Sequence, residues 1–173
     1  MTMRLPGCQV SDALSRVEWL TEEPSDNVIE RSFLLDRRSG TVPGALWSPA
    51  TTGKTATVLL FHGGSGHKRS ERLLRMGRWL ASTAGFAVIA IDGPHHGDRV
   101  PEQMAARAYQ QLIVDEGIER VTARMTEDWL ATLSVLTAEG LAGEANVSVY
   151  GMSMGARFGL PVAAALGSRL RCC

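Results

Sequence analysis

Gly151-Met152-Ser153-Met154-Gly155 lies directly behind the β-branched run Asn146-Val147-Ser148-Val149-Tyr150 and ahead of an apolar, helix-forming stretch over residues 156–166. A strand that hands its chain to a helix across so short a turn leaves almost no space inside it. Glycines at the two flanks let strand and helix backbones approach, and the serine between them is pushed out of the sheet into a strained conformation. The pattern predicts a strand over 147–150, Ser153 at its C-terminal end, and a helix from about Met154. A serine hydroxyl presented in this way is a candidate nucleophile.

The same alternation occurs upstream. The apolar run Thr57-Val58-Leu59-Leu60-Phe61 opens into His62-Gly63-Gly64-Ser65-Gly66-His67. A helix is predicted next over 68–83, with Leu73, Leu74, Met76, Trp79 and Leu80 at helical spacing and a stop at Gly85. Backbone N–H groups at the start of such a helix have no intrahelical acceptor, so a glycine-rich loop there can hold an oxyanion. Because parallel neighbours deliver their loops to one sheet edge, the 63–65 loop is expected beside Ser153.

Residues 86–91 read as a second buried strand, followed by the loop Asp92-Gly93-Pro94-His95-His96-Gly97-Asp98-Arg99. Helical sequence then comes in two pieces. The longer places Ile118, Val121, Met125, Trp129, Leu133 and Leu136 three or four residues apart and ends at Gly140, a stripe that reads as core packed against the sheet. Toward the N-terminus, Val28–Asp36 and 41–47, joined through Arg38-Ser39-Gly40, read as an antiparallel hairpin. Leu14, Val17 and Leu20 predict a helix over 11–20, broken by Glu22-Glu23-Pro24-Ser25-Asp26. The expected organisation is a helical extension over 1–27 and one α/β domain over 28–173, a mostly parallel sheet with flanking helices and an N-terminal antiparallel hairpin.

The order strand, His-Gly-Gly loop, helix, strand, helix, strand, Gly-x-Ser-x-Gly, helix resembles the α/β-hydrolase superfamily, and more narrowly its dienelactone-hydrolase-like and serine-esterase-like members. The resemblance runs from about Val28 to the C-terminus, and Val42-Pro43-Gly44-Ala45-Leu46-Trp47-Ser48-Pro49 is similar to the second strand of the dienelactone-hydrolase-like proteins. It implies acyl transfer to water from a small ester-like substrate through an acyl-enzyme on Ser153. The backbone N–H groups of Gly64 and Met154 would form the oxyanion hole, and His62, Gly63, Ser65, His95 and His96 would line the site. His62 is expected to shape the oxyanion loop, and His95 and His96 to structure or line the site rather than act as base. Dienelactone hydrolases usually carry cysteine where this chain has Ser153, which favours a serine esterase.

In that superfamily the acid and the histidine follow the serine in the chain. Here none of the eighteen residues after Gly155 is Asp, Glu or His, and 168–173 reads as the start of a further strand. The expectation is a hydrolase fold interrupted after the elbow, without its acid and histidine, inactive alone, and open to self-association through an exposed sheet edge. The alternative is a non-catalytic binding or interaction protein that retains the scaffold.

Rival chemistries fit less well. Counting from Gly64 and Gly66, a dinucleotide fingerprint would need glycine where Arg69 stands, and Thr52-Gly53-Lys54-Thr55 has Ser48 where a P-loop begins with glycine. His95, His96 and Asp98 lack metallo-hydrolase spacing, so neither metal nor cofactor is expected. With 18 Lys and Arg against 18 Asp and Glu, the chain has no charge bias toward nucleic acid or a membrane surface. The crowding of Lys68, Arg69, Arg72, Arg75 and Arg78 reads as a solvated helix face. No apolar stretch is long enough for a membrane span, and residues 1–20, carrying Asp12 and Glu18, do not form a secretory signal. Cys8, Cys172 and Cys173 have neither disulfide-framework nor zinc spacing, which points to reduced thiols and a cytoplasmic protein.

Overall fold

The apolar runs become strands β1 (Arg16–Ser25), β2 (Val28–Asp36), β3 (Val42–Pro49), β4 (Thr57–Phe61), β5 (Ala87–Ile91), β6 (Val147–Gly151) and β7 (Leu170–Cys172). Between them lie helices α1 (Glu71–Ala84), α2 (Ala106–Glu116), α3 (Ile118–Ala138) and α4 (Met154–Leu166). This is a computed structural model, and it describes residues 16–25, 27–50 and 56–173. The expectations for residues 1–15, Cys8 included, and for Thr52-Gly53-Lys54-Thr55 lie outside the described residues. The seven strands form one sheet in the order β1-β2-β3-β5-β4-β6-β7.

That sheet is mixed. The β4–β5, β4–β6 and β6–β7 pairs are parallel, whereas β1–β2, β2–β3 and β3–β5 are antiparallel. All residues of β4 and β5 are buried, which is why both read as unbroken apolar runs: helices cover both faces. On one face α1 packs Leu73 and Ala81 with Trp47, Leu60 and Val88. On the other, α2, α3 and α4 pack around Phe61 and Trp129, whose rings stack with centroids 4.2 Å apart. A ring pair of this kind contributes about 0.5–1.5 kcal/mol beyond its area burial.

The helix expected over 11–20 is corrected where the chain is described. Residues 16–25 are strand β1, paired antiparallel with β2, Val17 opposite Leu35 and Trp19 opposite Phe33. The segment carries two periodicities at once, three-residue spacing through Leu14, Val17 and Leu20 and two-residue spacing through Val17 and Trp19. Pairing with β2 rewards only the second. Trp19 meets Phe33 edge-on at 5.7 Å, while Leu20 falls at a register shift and stays half exposed. Pro24 is tolerated because β1 is an edge strand with no outer neighbour to bond among the described residues.

A buried charge cluster ties the pieces that frame the sheet's upper edge. Arg37, just after β2, and Arg99, in the loop after β5, both close on Asp128 of α3, with Arg99 Nη2 2.7 Å from Oδ2. Among the described residues no helix is long and apolar enough to cross a membrane, and Cys172 and Cys173 are exposed free thiols.

Candidate active site

β6 runs in parallel beside β4 with Phe61 opposite Gly151, so the loops that follow the two strands emerge at the same edge of the sheet. After β6 the chain turns through Met152 and Ser153 into α4, and Ser153 sits at the helix N-cap with φ 55° and ψ −117°. A side chain in such backbone costs about 1–3 kcal/mol, which only a surrounding structure that over-determines the turn can sustain. The glycines supply that determination. A Cβ on Gly155 would lie 2.6 Å from the Phe61 carbonyl oxygen and 2.8 Å from that of His62, and one on Gly151 would lie 2.6 Å from Gly155 itself. Beneath the turn, Phe61, His62, Met154 and Phe158 leave a space of about 10 Å³, roughly the limit for a single water. The serine therefore stands on a packed floor.

Met154 is the first residue of α4, and its N–H has no acceptor among the described residues. Facing it is the loop after β4: a Cβ placed on Gly63 would lie 3.7 Å from the Met152 carbonyl. Two buried histidines set the peptide planes of this loop. Gly93 N–H donates to His62 Nε2 at 2.7 Å, so the ring proton is on Nδ1, which donates to the Gly63 carbonyl at 2.8 Å; Gly66 N–H donates to the same carbonyl at 3.0 Å. Across a trans peptide the Gly64 N–H then points the opposite way, and it too has no acceptor among the described residues. His96 Nε2 lies 2.9 Å from the Gly64 carbonyl, its Nδ1 2.6 Å from that of Pro94, which fixes the next peptide plane. Ser65, whose carbonyl accepts from the Gln103 amide at 3.1 Å, completes the loop.

Burial, slightly offset by the Gly63 carbonyl, pushes the His62 imidazole down to about 4 from an ordinary 6.5, so the ring is neutral at physiological pH. A pKa lower in the folded than in the unfolded chain means that the unfolded chain binds the extra proton first. This contribution is complete above pH 6.5 and is lost as pH falls toward 4. Urea denaturation between those limits should show about 3 kcal/mol less stability at the acid end, and a His62→Gln chain should lose that slope.

The remaining sequence-nominated residues are drawn elsewhere. His95, with a positive φ of 60°, turns its ring toward Glu116 at the end of α2, Nε2 to Oε2 3.7 Å, and burial lowers its pKa from the ordinary value. Glu116 is in turn held by Arg124. The fourth histidine, His67, accepts the Arg69 N–H at Nδ1, 3.3 Å away.

Two features escaped the sequence reading. Asp92 is fully buried and accepts from Lys68 N–H at 2.8 Å, Lys68 Nζ at 2.8 Å and Asp98 N–H at 2.9 Å, clamping the loop after β5 to the start of α1. Removing one partner of a buried ion pair strands the other's charge, so Asp92→Ala should cost about 3 kcal/mol in chemical denaturation. The second is Tyr109 of α2, buried with its ring edge-on to His96 at 4.4 Å. Its helical spacing with Ile113 signals only a core-facing residue.

No family model matches the chain, and no curated protein sequence matches it. Solved structures do. A cold-adapted esterase from an Arctic intertidal metagenomic library, in its PEG-bound form, superposes with a TM-score of 0.73 at 34% identity over 88% of this chain. Acetyl xylan esterase 1 from Thermoanaerobacterium sp. JW/SL YS485 gives 0.66 at 19% identity over 91% of this chain and 50% of its own, and methylesterase BT1017 gives 0.71 at 18% over 90% and 34%; at such identities the likeness is one of fold. This chain spans 62% of the length of the Arctic esterase. With its strained serine between strand and helix and its sheet shared with these proteins, the chain has the α/β-hydrolase-like fold of an esterase.

Proposed function

We propose that this chain carries the nucleophile and the oxyanion site of a serine ester hydrolase. The observation that supports it most is Ser153 at φ 55° on the strand–helix turn, beside a loop with a free Gly64 N–H. Ser153 Oγ would attack the carbonyl carbon of a small ester and lose its proton to a base. The electron pair of the carbonyl moves onto its oxygen, held by the N–H groups of Gly64 and Met154; one such donor is worth about 3 kcal/mol of transition-state stabilisation. The alkoxide then leaves, taking up a proton, and water releases the acid from the acyl-serine. Among the described residues no hydrogen bond joins a histidine ring to Ser153: His62, His96 and His67 hold backbone groups, and His95 faces Glu116 with its Nε2 unpartnered, so on this reading the base is supplied from outside this arrangement.

External base provides the test. With 4-nitrophenyl acetate, added imidazole should raise 4-nitrophenol release above that of a Ser153→Ala chain, and peptide mass mapping should find acetyl on Ser153. Identical imidazole dependence in both chains, with no acetyl-serine, would sink the assignment.

Self-association accompanies this reading. The outer edge of β7 has no strand partner among the described residues. Beside it, α3 and α4 leave a groove of about 1000 Å³ lined by Ile118, Leu130, Val135, Pro161 and Ala165. An unpaired edge flanked by apolar surface pairs readily with a second copy. Sedimentation equilibrium should show species larger than a monomer, and a monomer with cooperative thermal unfolding would contradict this.

A further inference from the structure

We infer that the Tyr109 hydroxyl belongs to the acyl-transfer site as a substrate-contacting group, donating a hydrogen bond to the ester carbonyl oxygen as it becomes the oxyanion; the inference rests on the reading of Ser153 and Gly64 above. Tyr109 is only 4% exposed, and its ring is fixed edge-on against His96, whose Nε2 holds the Gly64 carbonyl. That places the phenol tip on the oxyanion loop. A Cβ built on Gly64 would fall 1.9 Å from Tyr109 Oη, so the hydroxyl lies directly against the α-carbon whose N–H is the proposed oxyanion donor.

Two observations separate this from simple packing. Tyr109 Oη has no hydrogen-bond partner among the described residues, yet it is not one of the orphaned oxygens sealed from solvent. The ring is buried and the oxygen keeps contact with the outside, at the sheet edge where Ser153 emerges. A phenol O–H that is neither spent on a protein acceptor nor needed for packing is free to donate to a ligand oxygen. The same contact explains why residue 64 is glycine beyond any backbone need, since a side chain there would displace the phenol.

Phenylboronic acid tests this without requiring turnover. Its boron bonds to Ser153 Oγ, the hydroxyl proton passes to buffer, and the four-coordinate anion leaves a boron-bound oxygen in the oxyanion position. Boron-11 NMR of the 173-residue chain should show the four-coordinate signal, absent in Ser153→Ala. In Tyr109→Phe the dissociation constant should rise about tenfold, as expected for one hydrogen bond to a charged oxygen. Its thermal midpoint should stay within about 2 °C, because the ring packing is kept. Incorporated 3-fluorotyrosine reads the same contact with no substitution: only Tyr109 and Tyr150 carry the label, and the Tyr109 resonance should shift on adduct formation. An unchanged dissociation constant in Tyr109→Phe, or an unmoved Tyr109 resonance, while Ser153→Ala still abolishes binding, would overturn the role of Tyr109 and leave that of Ser153 intact. No adduct with the unaltered chain would overturn both.

Discussion

Purified 173-residue protein should hydrolyse 4-nitrophenyl acetate slower than a complete serine esterase by a factor on the order of 10⁶, the size of the loss when a serine triad is dismantled. The reason is the proton on Ser153. Removing it needs a base within hydrogen-bond reach, and among the described residues none of the four histidines is hydrogen-bonded to Ser153. His62 donates from Nδ1 and accepts at Nε2, His96 lies between the Pro94 and Gly64 carbonyls, His67 accepts a backbone N–H, and His95 faces Glu116 with its Nε2 outside hydrogen-bond distance. His62 is additionally held neutral by burial, with both nitrogens occupied. Steady-state kinetics checks the expectation directly. Turnover at ordinary esterase rates, abolished by Ser153→Ala and by loss of one particular histidine, would identify that histidine as the base and overturn the expectation.

Gly155→Ala should be the most damaging small substitution in the chain, costing more than about 4 kcal/mol and leaving little folded protein. The added methyl group has nowhere to go. It would approach the Phe61 carbonyl oxygen at 2.6 Å and that of His62 at 2.8 Å, both backbone atoms at the end of a central, fully buried strand. A flexible side chain could yield, but here either α4 must lift from the sheet or β4 must break its pairing with β6. Circular dichroism and urea denaturation would report the loss. Near-native stability in Gly155→Ala would mean that strand and helix are not packed as closely as the elbow requires.

Local rules carried the reading of the central strands and of the elbow. β4 and β5 announce themselves as short apolar runs because both faces are covered, and β6 by its β-branched residues before a glycine. The Gly151 and Gly155 pair encodes a steric demand that no neighbouring chain can alter. What failed was a segment whose pattern served two periods, 16–25, where the partner strand rather than the chain itself chose between helix and strand. Joining of β3 to β5 in antiparallel fashion was likewise beyond any local signal, since it depends on how the hairpin meets the sheet.

Within the site the division is the same. That Ser153 is the candidate nucleophile, that a glycine-rich loop follows β4, and that no Asp, Glu or His follows Gly155 are properties of residue order alone, because turn sterics and chemical identity act over a few residues. The tertiary structure decided which histidine nitrogen holds which carbonyl, the burial that lowers the His62 pKa, the clamp of Lys68 on Asp92, and the seat of the Tyr109 hydroxyl against Gly64. The long-range ones among these join residues from different strand–helix units, 24 residues apart for Lys68 and Asp92 and 32 for His96 and Gly64. Hydrogen bonds and desolvation depend on distances of a few ångströms in space, and only the parallel pairing of β4 with β5 and β6 brings those loops together at one edge.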